Sequence, residues 1–379
     1  MLIKKKIQSF IKEVCEMKQK LQVGIIGATG MVGQRFLLLL ENHPWFEVTV
    51  LAASKQSAGK PYEDAIKDRW KMSVPIPEKY KQMMVEDGEQ IDLISQKVDF
   101  IFCAISLDKA TTKALEEAYA KAEIPVISNN SANRYVEDVP MLIPEINGHH
   151  IAVIDSQKKR LGTKRGFIVV KPNCSIQSYV PPLSALMAFE PETILACTYQ
   201  AISGSGKSFK ECPEILDNVI PFIPGEEEKS EQEPHKIWGS VQNGKIVNSD
   251  SPLITTQCLR VPVSDGHLAA VYVNFKKKPT KEEILEALNH YEFNPLAKNL
   301  PSSPKKFLCY MEEENRPQTK LDRNFGKGMG ITIGRLRADT VFDYKFVCLS
   351  HNTLRGAAGG GVLSAEYLVA TGYLFAKPL

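Results

Sequence analysis

Short apolar runs with little polar interruption punctuate the first half of the chain: Leu21 to Ile26, Phe46 to Ala52, Val98 to Ala104, Pro125 to Ser128 and Phe167 to Val170. Runs of this length without alternation suit strands covered on both faces. Between them, Gln34 to Glu41 and Lys109 to Lys121 read as helices. Strand and helix in alternation predict a parallel sheet whose ligands gather at the strands' carboxyl ends. After Cys174 the pattern changes. Gln177 to Phe189 reads as helical, and Ile194 to Ala201, Leu268 to Phe275, Gly330 to Arg337 and Phe342 to Leu349 read as strands not regularly spaced by helices. These predict a second, α+β domain with a mixed or antiparallel sheet. Thr280 to His290 reads as a helix within it, and Pro221 to Pro234, rich in Glu and Pro, as a loop. Thr353 to Leu374 reads as a small-residue helix. Its glycines are costly there unless they permit close backbone packing or an irregular start near a ligand.

A chain of 379 residues has room for two such domains. With 43% apolar and 24% charged residues it is an ordinary globular composition. A net charge of +3 gives no ground for nucleic-acid or membrane partners. No apolar run reaches the ~18 residues of a spanning helix. The eight cysteines show neither CxxC pairs nor His-Cys clusters, so neither a zinc site nor a disulfide framework is expected, and a reduced, cytoplasmic setting fits. Met1 to Lys20 is basic and reads as a short amphipathic extension without the apolar core of a signal peptide, and Met17 is an alternative start.

Candidate chemistry begins at the first strand's exit. Gly27-Ala28-Thr29-Gly30-Met31-Val32-Gly33 stands between strand and helix, the position of the phosphate cradle in a Rossmann-type unit. The second strand ends not in an acid for ribose hydroxyls but in Ser54-Lys55-Gln56-Ser57-Ala58-Gly59-Lys60. Hydroxyls and lysines there suit a 2′-phosphate, so NADP is expected over NAD. Arg134 falls at the sheet's ligand edge, where its guanidinium suits a phosphate or carboxylate. Gly204-Ser205-Gly206-Lys207-Ser208 imitates a nucleotide-hydrolase phosphate loop, but Ala201 stands where that motif needs glycine. In Lys171-Pro172-Asn173-Cys174-Ser175 a cysteine sits at a strand-to-helix junction, where free N–H groups and the helix dipole favour thiolate and would cradle an oxyanion. Ser264-Asp265-Gly266-His267 supplies a histidine beside a strand, suited to proton transfer, with Arg260 a few residues earlier. A thiolate beside a nicotinamide is the toolkit for converting an aldehyde and a thioester.

These segments, together with Gln200-Ala201-Ile202-Ser203-Gly204, Cys258-Leu259-Arg260-Val261-Pro262-Val263 and Leu354-Arg355-Gly356-Ala357-Ala358-Gly359-Gly360, resemble the aspartate-β-semialdehyde dehydrogenase family from Leu21 onward. Ser57 to Lys60 and Val139 to Glu145 look like its archaeal and fungal branch. The resemblance implies an NADP-dependent cytoplasmic oligomer, a homodimer or homotetramer, of lysine, threonine and methionine biosynthesis. It implies division into an extension over 1–20, a dinucleotide-binding domain over 21–172, a catalytic and dimerisation domain over 173–350, and a C-terminal helix over 351–379 returning to the first domain. It implies reduction of 4-phospho-L-aspartate to the semialdehyde through a thioester on Cys174, with His267 moving the proton and Gln200 orienting the substrate. Arg260 is expected to bind the α-carboxylate, Arg134 and Asn133 with Lys229 the phosphate, and Glu226 or Glu227 the amine. Gly27, Thr29, Gly30, Met31, Val32, Gly33, Ser54 and Ser57 are expected along the cofactor, with Gly204 and Asn352 at its nicotinamide end. Malonyl-CoA reductase is the nearest alternative, and a cofactor-binding scaffold without turnover the other.

Overall fold

The computed structural model describes residues 19–377. The expected N-terminal extension therefore lies almost wholly outside the described residues, as does Met17. Six parallel strands form the first sheet: β1 (Leu21–Ile26), β2 (Phe46–Ala53), β3 (Val85–Asp87), β4 (Phe100–Cys103), β5 (Val126–Ser128) and β6 (Ile168–Val170), in the order β3-β2-β1-β4-β5-β6. Strands β4, β5 and β6 are buried at every residue, which is why their sequences run apolar without alternation. Helices α1 (Met31–Leu40) and α2 (Lys109–Lys121) accompany it, the latter capped by the Asp108 carboxylate on the Thr111 N–H.

Six more strands form the second sheet: β7 (Pro191–Gln200), β10 (Leu253–Arg260), β11 (His267–Phe275), β12 (Leu308–Met311), β13 (Ile331–Ala338) and β14 (Tyr344–Ser350). The intervening β8 (Ser240–Gln242) and β9 (Lys245–Val247) make a separate hairpin. The order β10-β7-β11-β14-β13-β12 is mixed, with β10–β7 and β12–β13 parallel and the rest antiparallel. Here burial alternates strictly along β11, so one face packs on the core while Leu268, Ala270 and Tyr272 lie half-buried on the other.

Two elements depart from the pattern-based expectation. The stretch after Cys174 is not one helix: a 3₁₀ turn over Ser175–Gln177 precedes a short α3 (Val180–Ala185), with Pro181 and Pro182 in its first turn. Residues Glu226–Ile237, inside the expected loop, form helix α4. Three glutamates in its first turn complement the helix dipole. Pro234, which has no N–H for the Ser230 carbonyl, is tolerated because the Tyr179 hydroxyl donates to that carbonyl at 2.6 Å.

The chain closes with a π turn over Leu354–Ala358 and α5 (Gly359–Ala370), which packs against α1 and β5 of the first domain. Every residue of α5 is buried, so it shows no polar face. Among the described residues no helix is long and apolar enough to cross a membrane, and no His, Cys, Asp or Glu group could hold a metal ion.

Candidate active site

Register assembles one side of the site. Arg260, last in β10, pairs with Gln200, last in β7; Leu268 pairs with Tyr199, and His267, first in β11, pairs with Ser350, last in β14. Gln200, Arg260 and His267 thus stand side by side at one sheet edge, all on its buried face. Asn352 follows β14 and ties neighbouring loops together, accepting from the Gly266 N–H at 2.8 Å and donating to the Ser203 hydroxyl at 2.8 Å.

Strand β6 delivers the cysteine from the other domain. Cys174 Sγ lies 3.4 Å from His267 Nε2. His267 Nδ1 accepts the Ala201 N–H at 3.0 Å, so the neutral ring carries its proton on Nε2, facing the sulfur. Burial, reinforced by Arg260, holds this imidazole well below its usual range. Burial also pushes the Cys174 thiol up to about 11; Glu226 adds to the rise, while Lys171, Arg134 and Arg260 oppose it. The expected helix-stabilised thiolate is therefore corrected. Only a 3₁₀ turn follows the cysteine, too short for a macrodipole, and desolvation outweighs the nearby cations. The Lys171 ammonium, buried and donating to the Pro172 carbonyl, is brought down to about 7 by that same burial.

A cavity of about 290 Å³ opens over the sulfur. Gln200, Gly204, Arg260, Glu226, Lys229, Arg134, Val32 and Asn352 line it. Gly204 is there by necessity: a Cβ would stand 2.8 Å from Arg260 Nη1 and 3.1 Å from the His267 ring. Gly356, in the π turn, would put a Cβ 2.9 Å from that of Cys174. The Arg260 guanidinium is braced by the Ala201 carbonyl at 2.8 Å, and Glu226 Oε2 lies 3.3 Å from Lys229 Nζ.

Two expected substrate contacts lie elsewhere. Asn133 is buried, and its amide donates to Glu116 Oε2 at 2.7 Å inside the first domain, so it does not reach the cavity beside Arg134. Glu227 turns to β10, accepting from Gln257 at 2.8 Å and from the Cys258 N–H at 3.1 Å; of the two glutamates only Glu226 faces the cavity. The residue-by-residue reading missed Asn129, Ser131, Asn173, Ser203 and Thr353, which also line it. Asn173 had a local signal, its place beside the cysteine; Asn129 had none, although both its amide atoms are buried without a partner.

The glycine turn opens on a second groove, about 490 Å³, lined by Gly27, Thr29, Gly30, Ser54, Lys55 and Gln56. Gly27 has φ +92°, and a Cβ there or at Gly33 would strike a backbone carbonyl, that of Ala104 or of Gly27 itself. Helix α1 starts with no side-chain cap and no acid in its first turn, leaving N–H groups and positive dipole for an anion. These features fit a dinucleotide. Gly33 serves this fit by close packing inside α1. Met31 lines a different cavity with Arg35 and Lys71, and Ser57 is buried against Arg69; neither lies in the groove, because α1 turns Met31 outward and the loop folds Ser57 inward. Lys55 is paired with Glu89 at 2.7 Å.

A half-open thiol, a neutral imidazole and an arginine beside a dinucleotide groove define a cysteine-dependent, nicotinamide-linked dehydrogenase acting on aldehydes. Comparison with known proteins narrows this. Residues 22–154 match the semialdehyde dehydrogenase NAD-binding domain and residues 181–355 the semialdehyde dehydrogenase dimerisation domain. The aspartate-semialdehyde dehydrogenase of Archaeoglobus fulgidus is 42% identical over 92% of this chain and 97% of its own. That of Schizosaccharomyces pombe is 41% identical over 93% and 99%. The crystal structure of the Candida albicans enzyme with NADP superposes with a TM-score of 0.83 at 37% identity, covering 94% of this chain and all of that one. The chain belongs to the aspartate-semialdehyde dehydrogenase family.

Proposed function

We propose that this protein catalyses the NADPH-dependent reductive dephosphorylation of 4-phospho-L-aspartate to L-aspartate 4-semialdehyde, and the reverse phosphorylating oxidation. The observation that carries it is the Cys174–His267 pair at 3.4 Å, sharing its cavity with one carboxylate and with cations of two kinds. Arg260 offers a planar fork to the α-carboxylate, Glu226 an anion to the amine, and Arg134 and Lys229 positive charge to the phosphate.

The Cys174 thiol gives its proton to the departing phosphate as Sγ attacks the acyl carbon; the carbon–oxygen bond to phosphate breaks, and a thioester remains on Cys174. The glycine turn with Ser54 and Lys55 would hold NADPH, which when bound would supply the hydride for reduction of this thioester. Nε2–H of His267 donates to the oxygen as negative charge builds there; the carbon–sulfur bond then breaks and releases the aldehyde. Gln200, held against Thr198 at 3.2 Å, keeps the carbonyl over the sulfur. An acyl-CoA substrate would use neither Glu226 nor Lys229, so their presence in the cavity supports the amino-acid substrate over malonyl-CoA.

The half-buried apolar face of the second sheet, with Leu268, Ala270 and Tyr272, suits a second copy of the chain, and a homodimer or homotetramer is the expected assembly. Seven free cysteines among the described residues suit a reducing cytoplasm, and the pathway is that of lysine, threonine and methionine. The direct test is spectrophotometric: aspartate semialdehyde, inorganic phosphate and NADP should give NADPH. Turnover with malonyl-CoA but none with the semialdehyde would overturn the assignment.

A further inference from the structure

Helix α4 places four polar side chains at spacings of three and four residues, Glu226, Lys229, Ser230 and Glu233, and so on one face. The first two line the catalytic cavity. Ser230 meets the Ser175 hydroxyl at 3.1 Å, just past the nucleophile. Glu233 is fully buried, and its two oxygens go to different parts of the site: Oε1 lies 2.8 Å from Arg134 Nη1, and Oε2 accepts the Asn173 N–H at 2.6 Å. One turn on, Lys236 donates to the carbonyl of Arg134 at 2.6 Å. The same helix therefore holds Arg134 by its side chain and its backbone, and holds the residue before the nucleophile. Arg134 Nη2 also donates to the Asn129 carbonyl at 3.2 Å, so one N–H on each of Nη1 and Nη2, with the buried Nε–H, is left without a protein partner.

We propose that Glu233 is a positioning residue that fixes the separation between the anion-gripping Arg134 and the Cys174 loop, so that phosphate leaves or enters at a set distance from the sulfur. The inference rests on the phosphate-transfer reading above. A buried ion pair alone could serve stability only, but Glu233 is spent on two groups of one cavity from opposite sides. Its geometry asks for two acceptors at once. A glutamine has one acceptor oxygen and turns an N–H toward the other donor.

The test uses Glu233→Gln in the full-length enzyme, assayed in the oxidative direction. The KM for phosphate should rise about tenfold while the Kd for NADP changes less than about twofold, and Arg134→Ala in the same background should add little, because coupled residues are not additive. Protection of Cys174 from iodoacetamide by inorganic phosphate should shift to correspondingly higher phosphate. This second readout needs no aldehyde, so a wrong substrate assignment leaves it standing. Glu233→Asp, one methylene too short to span both partners, should give an intermediate phosphate KM and covers the case where the glutamine variant fails to fold. An unchanged phosphate KM with a lowered melting temperature, or strict additivity with Arg134→Ala, would overturn the proposal.

Discussion

The two sheets meet at one cavity but contribute to it differently. The parallel sheet builds a backbone groove of its own, from the glycine turn and an uncapped helix start, and sends the loops that carry Cys174 and Arg134 into the shared cavity. The mixed sheet offers side chains, brought into line by strand register: Gln200, Arg260 and His267 from three neighbouring strand ends. A backbone site tolerates change at its rim but not added bulk, whereas a side-chain site fails one group at a time. Chemistry should therefore be fragile on the second sheet and at the cysteine, and cofactor choice adjustable on the first.

The largest effect expected is from Cys174→Ser: a loss of kcat of about four orders of magnitude or more with the melting temperature held, since a serine hydroxyl is far less acidic and less nucleophilic than a thiol. Near-normal turnover would separate the chemistry from this sulfur. Next is the thiol's own titration. With its pKa at about 11, the thiolate fraction climbs as pH rises toward that value, so iodoacetamide alkylation of the ligand-free enzyme should accelerate about tenfold per pH unit from pH 7 to 10. A plateau by pH 8 would mean that the cations of the cavity outweigh desolvation after all. His267→Gln should lower kcat by about 10² to 10³, the usual worth of a positioned proton donor, with little change in NADP affinity. Arg260→Lys keeps the charge but loses the fork and should raise the KM for the semialdehyde by roughly ten- to a hundredfold; an unchanged KM would take the carboxylate elsewhere. The smallest effect belongs to the first sheet: Ser54→Ala with Lys55→Ala should reduce the preference for NADP over NAD by about fivefold, kcat being nearly preserved. Loss of turnover there would contradict the division of labour.

The same division governed what could be read from the chain itself. Strands β1, β4, β5 and β6 announce themselves because each is a buried run beside a local signal, and the glycine turn lies within seven consecutive residues, Gly27 to Gly33. The mixed sheet's contributions lie far apart in sequence, and register alone aligns Arg260 with Gln200; nothing local encodes it. For Gln200 the family resemblance supplied what periodicity lacked. Helix α4 was hidden by its composition: glutamates and a proline read as a loop, and the rescue of the Ser230 carbonyl by Tyr179 is tertiary. Desolvation around the half-open nucleophile was equally invisible, and it reversed the expected ionisation of the thiol. Asn133, in the turn after β5, was misplaced because its partner Glu116 sits on helix α2.

Gly356 lets the returning chain press against Cys174, so the outgoing and incoming crossings between the two domains pass within van der Waals reach of each other. Added bulk at residue 356 would therefore wedge these two crossings apart and displace the reacting sulfur along with them.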